Sequence, residues 1–219
     1  MEKVILLSLV LVLFMVSALP AQYTIDSYFE SDSSTDLSME AGLIVSAGIS
    51  NVVTSDEQTG SNTAGFSWSG GCFARMALSK KLALQPELIA NINQWSYKYE
   101  QNLTTRSYPH KIVSIQMPVS LLISVNQNED RDFFIGFGPF IGTPLIASVS
   151  YEDNSYSLSF LEDSSRVIYG AQVLGGVKDK KVSADIRASY EINDVYQNLG
   201  QGYNTNMWNI RLVLGYSFL

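Results

Sequence analysis

The chain has 219 residues, of which 46% are hydrophobic and only 16% charged, with a formal net charge of −7. That charged share falls short of the roughly one quarter usual in soluble domains, and an acidic chain without a basic stripe is a poor candidate for nucleic-acid binding. A single cysteine, Cys72, and a single histidine, His110, exclude an internal disulfide and a His/Cys metal cluster.

Residues 1–21 have the form of a secretory signal peptide. Lys3 gives the positive start, Val4 to Val16 the apolar run, and Ser17-Ala18-Leu19-Pro20-Ala21 small residues for cleavage before Gln22. The apolar run is short for a membrane span of about 20 residues. Residues 22–38 are polar and acidic, with Ser31-Asp32-Ser33-Ser34-Thr35-Asp36, and are expected to be a disordered periplasmic lead-in. Residues 39–219 form the single remaining domain.

Eight segments in that domain alternate apolar and polar residues with a period of two, which predicts β-strands. The first, 40–50, sets Ala41, Leu43, Val45, Ala47 and Ile49 against Glu40, Gly42, Ser46, Gly48 and Ser50. The second, 65–78, sets Phe66, Trp68, Cys72, Ala74 and Met76 against Ser67, Ser69, Gly71 and Arg75. The third, 82–95, sets Leu82, Leu84, Leu88, Ala90 and Ile92 against Gln85, Glu87, Asn91 and Asn93. The fourth, 112–125, is the clearest apolar face: Val113, Ile115, Met117, Val119, Leu121, Ile123 and Val125. Its other face carries Ser114, Gln116, Ser120 and Ser124, broken by Pro118 and Leu122.

The fifth, 132–148, places Phe133, Ile135, Phe137, Ile141 and Leu145 opposite Gly136, Gly138 and Gly142. The sixth, 167–177, places Val167, Tyr169, Ala171, Val173 and Val177 opposite Gly170, Gln172 and Gly176. The seventh, 182–192, alternates without exception, Ile186 and Ala188 flanking Arg187. The eighth, 208–219, sets Trp208, Ile210, Leu212, Leu214, Tyr216 and Phe218 against Asn209, Arg211, Gly215 and Ser217. Pro118 and Pro139 inside strands predict bulges or interrupted pairing.

Connections alternate between short charged turns (79–81, 126–131, 178–181) and longer Asn-, Ser-, Tyr- and Gly-rich stretches (51–64, 96–111, 151–166, 193–207). Short turns at one end and long loops at the other predict an all-β, eight-stranded antiparallel up-and-down transmembrane β-barrel, with the long loops outside the cell. A soluble lipocalin-like barrel would use the same alternation turned inside out. Lysine decides between them: Lys80, Lys81, Lys98, Lys111, Lys178, Lys180 and Lys181 are placed at strand ends or in turns, none mid-strand.

The polar faces then line the lumen. Glu40, Arg75, Glu87, Asp185, Arg187, Glu191 and Arg211 are expected there as a structural charge network, since each would be costly to bury unpaired. Eight strands leave an interior just wide enough for side chains. Phe73, Phe134 and Phe140 share the inward parity, so the lumen is expected to be polar and plugged. Trp68, Tyr169, Tyr190 and Trp208 toward the long-loop end, and Phe133, Tyr216 and Phe218 toward the short-turn end, are expected as aromatic belts at the membrane surfaces. Trp95, Tyr97 and Tyr99 carry inward parity on the third strand. That implies a strand risen clear of the bilayer or a bulge, with rim packing as their role.

The chain resembles the small outer-membrane β-barrel family that includes PorT-like proteins. The resembling stretches are Ala41–Asn51, Leu82–Ile89, Ile115–Leu122, Phe134–Gly142 and Arg211–Leu219, in the family's order. The aromatic-rich end resembles the signal read by barrel-assembly machinery, although Leu219 stands where a terminal Phe is commoner. The resemblance implies a Gram-negative outer-membrane location reached by Sec export, contact with outer-membrane lipid and insertion by the assembly machinery. PorT is associated with a secretion system, so a secretion component, or a ligand at the surface loops, is the candidate partner.

Catalytic chemistry finds little support. Gly136-Phe137-Gly138-Pro139-Phe140-Ile141-Gly142 lacks dinucleotide-loop spacing and has no following helix. A lipid-modifying enzyme would need a nucleophile with a His base. His110, between Pro109 and Lys111, is the one candidate and is expected to be a solvated residue at a loop-to-strand junction. Glu191 with Asp194 could hold a divalent ion at the rim, though solvation explains the pair better. Asn102-Leu103-Thr104 matches a glycosylation triplet of little weight here. No catalysis, cofactor or metal is expected. A structural or interaction role through the long loops leads, with small-solute transport or assistance to secretion behind it.

Overall fold

The computed structural model describes residues 38–54, 60–101, 104–127, 131–151, 154–159, 167–193 and 205–218. The strands are β1 (Met39–Thr54), β2 (Gly60–Ala77), β3 (Leu82–Gln101), β4 (Thr104–Gln127), β5 (Arg131–Tyr151), β6 (Asn154–Ser159), β7 (Ile168–Asp179), β8 (Val182–Glu191) and β9 (Thr205–Ser217). Each pairs antiparallel with its neighbours in the order β4-β3-β2-β1-β9-β8-β7-β5, and the β4–β5 pairing closes the sheet. The result is an eight-stranded antiparallel barrel. The ninth strand, β6, pairs with the upper end of β5, Ile146–Tyr151, on the edge that β7 takes lower down.

The two faces segregate as the alternation demands. Along β8 the outward Ile186 is 64% exposed and the adjacent inward Arg187 is 1% exposed. Leu43, Val45, Ile135, Phe137, Val173, Leu212 and Leu214 also face out, while Ser67, Glu87, Asn91, Ser120 and Arg211 are buried inside. On β4 the outward apolar run from Val113 to Val125 covers thirteen residues. At about 3.3 Å per residue and a tilt of about 45° it spans about 28 Å, the thickness of a bilayer's hydrocarbon core. Among the described residues no helix is long and apolar enough to cross a membrane, so the strands do the crossing.

Several boundaries differ from those the sequence suggests. The stretches 51–64 and 96–111 are mostly strand: β1 runs to Thr54, β2 starts at Gly60, and β3 and β4 continue to Gln101 and from Thr104. The stretch 151–166 contains β6. Above the apolar band the outward positions turn polar, as at Lys98, Ser107 and Lys111, so pairing persists while the apolar outward face that advertises it disappears. Lys98 and Lys111 consequently lie inside β3 and β4, not at strand ends or in loops. They sit beyond the apolar run of Val113–Val125, so the run itself stays free of lysine. Residues 1–37, Asn102 and Leu103 of the glycosylation triplet, Asp194 and Leu219 lie outside the described residues.

The sheet is kinked where the sequence places imino acids or a change of parity. The β4–β5 register shifts between Val113 and Ser114, opposite Pro144–Ile146. Leu145 is the extra residue, so Ile146 and not Leu145 continues the outward face, as a bulge requires. The same pair of strands shifts again between Ser124 and Asn126, and a third shift, in β2 between Ala64 and Ser67, faces Asn93–Trp95. β3 itself keeps its parity there, so Trp95 is buried inside the barrel. Near Pro118 and Pro139 the ladders skip pairs without changing register.

Two glycines show how tightly the barrel is filled. Gly42 pairs with Phe73 and Gly170 with Phe140. A methyl added at Gly42 would come within 2.6 Å of the Phe73 ring, and one at Gly170 within 2.5 Å of the Phe140 ring. In each pair the ring lies over bare backbone and takes the space a side chain would occupy. At Gly175 the nearest atoms to an added methyl are 3.9 and 4.0 Å away. Gly170→Ala should therefore destabilise the barrel by roughly 1–3 kcal/mol through overpacking, with Gly175→Ala near neutral. A urea titration of heat-modifiable migration on gels measures both.

Candidate functional site

The lumen is layered along the barrel axis. At the short-turn end Lys178 forms an ion pair with Glu40, and Ser217 Oγ donates to Glu40 at 3.4 Å. Ser124 Oγ donates to Asp132 at 3.0 Å. Arg75 donates from Nε to Gln85 at 2.8 Å, and its guanidinium lies 5.1 Å from the Phe134 ring centre and 6.0 Å from that of Phe73. Gln85 passes the contact on by donating to Glu87 Oε1 at 2.7 Å.

Arg187 occupies the centre. Its Nη1 is 2.6 Å from Glu87 Oε2, and its Nε and Nη2 lie 3.2 and 3.3 Å from the two Asp185 oxygens. Glu87 sits on β3 and Arg187 on β8, which lie diametrically opposite in the eight-stranded ring. The pair is therefore a strut across the full width of the lumen, continuous through Gln85 with Arg75. Further links cross beside it. Arg211 of β9 donates to Asn91 of β3, Gln116 of β4 donates to Glu191 of β8 at 3.1 Å, and Gln172 of β7 donates to Ser120 of β4 at 2.8 Å.

Toward the long-strand end the polar layer gives way to apolar packing. Val52, Trp95, Ile112, Phe140, Ala147, Ile168 and Met207 form one buried cluster contributed by six strands. On top of it His110 stacks on its cross-strand partner Trp95, with ring centres 5.2 Å apart and planes 11° from parallel. One step further out Tyr97 meets Tyr108 at 6.5 Å. His110 is half-buried, and burial pushes its imidazole down to about 4, so it is neutral at pH 7. The expected solvated loop histidine is thus a strand residue packed against indole.

All seven charged residues singled out in the sequence point into the barrel. Arg75, Glu87, Asp185, Arg187, Glu191 and Arg211 are buried, and Glu40 is half-buried at the lower mouth. Trp68, Tyr169, Tyr190, Phe133, Tyr216 and Phe218 are exposed on the outer wall, and Trp208 is half-buried there. The relay residues Gln85, Asn91, Gln116 and Gln172 were visible as inward polar positions. Which partner each meets depends on closure of the ring. Lys178, expected in a turn, points inward instead and holds Glu40. Among the described residues no group of three or more His, Cys, Asp or Glu is placed to hold a metal ion.

Residues 22–218 match the outer membrane protein beta-barrel domain. The chain belongs to that family. Outer membrane protein beta-barrel domains are set in lipid, which accounts for the apolar outer wall and the lysine-free band above. Among curated proteins none matches the chain. Solved structures similar to it include Ail, the attachment invasion locus protein of Yersinia pestis, with 14% identity, a TM-score of 0.39, and coverage of 82% of this chain and 98% of that one. Neisserial surface protein A has 17% identity and a TM-score of 0.41, covering 81% and 99%. The outer membrane enzyme PagL has 13% identity and a TM-score of 0.37, covering 82% and 99%. At these scores the likenesses assign no activity.

Removing the central cation tests the strut. Arg187→Met leaves Glu87 and Asp185 buried without their partner and should cost roughly 3–5 kcal/mol. Adding Glu87→Leu and Asp185→Leu to that variant should recover much of the loss. Urea midpoints of the single and triple variants measure the difference.

Proposed function

We propose that this family member is a closed, non-conducting barrel whose work is done at its outer rim, as an interaction protein of PorT-like type in the outer membrane of a Gram-negative bacterium. The observation that carries this reading is the filled lumen: a charged strut across the centre, and an apolar cluster of Trp95, Ile112, Phe140 and Met207 above it. A passage for solutes would need a continuous aqueous path through that filling. The rim offers surface instead. β3, β4 and β5 run 20, 24 and 21 residues, against 12 and 10 for β7 and β8, so one wall of the barrel stands higher than the other. Its inward-turned upper face presents Tyr97 and Tyr108, with Arg106 exposed above them.

Residues 1–21 act as a Sec signal peptide and residues 22–38 as a periplasmic lead-in on this reading. The aromatic side chains of the outer wall form the two belts at the membrane surfaces, and the barrel-assembly machinery inserts the chain. A secretion component or a surface ligand docks on the raised wall. Catalysis is not expected, since the one histidine is stacked on Trp95 and burial lowers its basicity.

Reconstitution in planar bilayers tests the reading. The protein should be electrically silent; discrete conductance steps would overturn it in favour of solute transport. In the same preparation, replacing 97–108 with an Asn-Gly turn should leave heat-modifiable folding intact, because the removed hairpin lies above the packed lumen.

A further inference from the structure

We infer that the membrane-facing side of the raised wall binds a glycolipid headgroup, with Lys111 on its phosphate. The inference rests on the outer-membrane reading above and names the lipid that meets this face. It starts from a border in the register. Ile92, Val113 and Ile146 are paired across β3, β4 and β5, and all three face outward. One step further out, Gln94, Lys111 and Ser148 form the next outward row on the same three strands. Three apolar side chains thus give way to three hydrogen-bonding ones at a single level.

The apolar run of Val113–Val125 fills the hydrocarbon core, so the row holding Lys111 lies at the depth of the lipid headgroups. With strands about 4.8 Å apart, that row is about 10 Å wide. Two steps beyond it Ser61, Lys98 and Ser107 form another outward row on β2, β3 and β4. Four residues at about 3.3 Å each set the two rows about 13 Å apart along the ladder, enough for a saccharide to lie between the lysines.

The charge on this plate is positive. Lys98 and Lys111 are exposed and take part in no hydrogen bond or ion pair among the described residues. β4 carries no carboxylate from end to end, and the one on β5, Asp132, stands at its opposite end. On β3 the nearest by register is Glu100, one step beyond Lys98 and three steps from the row of Lys111. Glu152 and Asp153 come four and five residues after Ser148 in the sequence. On the other wall the outward faces end in Val53, Val167, Tyr190 and Ile192, so among the described residues the lysine-bearing plate belongs to one side of the barrel. An ammonium beside an amide and a hydroxyl matches a phosphate carried on a sugar: Lys111 supplies the charge, while Gln94 and Ser148 can bond ring and hydroxyl oxygens. A zwitterionic phospholipid carries its own cation beside its phosphate and offers these two groups no sugar.

The test uses the purified, refolded protein in neutral detergent micelles, titrated with diphosphoryl lipid A and read by native mass spectrometry. Lipid A should stay bound at concentrations where phosphatidylglycerol and dephosphorylated lipid A are lost. Lys111→Gln should weaken retention about tenfold, as loss of one charge-assisted hydrogen bond does, and Lys98→Gln should weaken it less. Lys181→Gln, in the turn at the other end of the barrel, should change nothing, and inorganic phosphate should not displace the lipid. Unchanged retention in Lys111→Gln, equal retention of phosphatidylglycerol or of dephosphorylated lipid A, or displacement by inorganic phosphate would each overturn the inference. Insertion into phospholipid vesicles, followed by heat-modifiable migration, separates the two levels. A protein that inserts but ignores lipid A overturns this inference alone, whereas one that never inserts overturns the outer-membrane reading as well.

Discussion

The ion pair between Arg187 and Glu87 ties the two walls of the barrel together. It joins opposite walls through the middle of the lumen at 2.6 Å, so the two sides must come to one fixed separation. An ion pair held this far from water is worth little if compared with a well-packed apolar substitute, but breaking it strands a buried charge. Its contribution is therefore one of specificity: the ring closes in the one register that brings β3 and β8 together with Asp185 and Gln85 completing the set. Phe73 and Phe140, lying over Gly42 and Gly170, fill what the polar struts leave. The filled interior is in turn what the proposed role at the rim rests on.

The outer wall obeys the opposite rule. Its side chains need no partner because lipid is their solvent, and the closed ring leaves no unpaired edge within the band where water is absent. Where the chain emerges, the rule relaxes. Lys98 and Lys111 appear on strands that continue, and β6 pairs with β5 above the stretch that β7 pairs. The boundary between these regimes is sharp on β4, where Lys111 is followed two residues later by Val113 on the same face.

Much of this is legible in the sequence because a barrel wall with two solvents imposes a strict period of two. β8, the shortest of the barrel strands, alternates without exception and its orientation is unambiguous. What the sequence hides follows from the same physics. Residues 96–101 and 104–111 put aromatic side chains such as Tyr97, Tyr108 and His110 at the inward parity and polar ones such as Lys98 and Lys111 outside, the reverse of the apolar band, so the rule that marks the wall does not mark them. Leu145 keeps an apolar identity through a bulge, so only the register reveals that Ile146 took over the outward face. Cross-lumen partners such as Gln116 with Glu191 are 75 residues apart, and which inward residues meet is decided by stagger of the strands. Lys178 carries the same lesson at the lower mouth, where a residue suited to a turn reaches inward to Glu40.

Nitroxide scanning of β8 in lipid vesicles reads the orientation of the barrel wall residue by residue. With a spin label placed in turn at each position from 182 to 192, collision with oxygen should be high at 184, 186, 188 and 190, since these face the acyl chains. At 185, 187 and 189 collision with both oxygen and a water-soluble nickel complex should be low, as expected for a sealed interior. High nickel accessibility at those inner positions would mean an open lumen, and an oxygen profile of opposite phase a wall turned inside out.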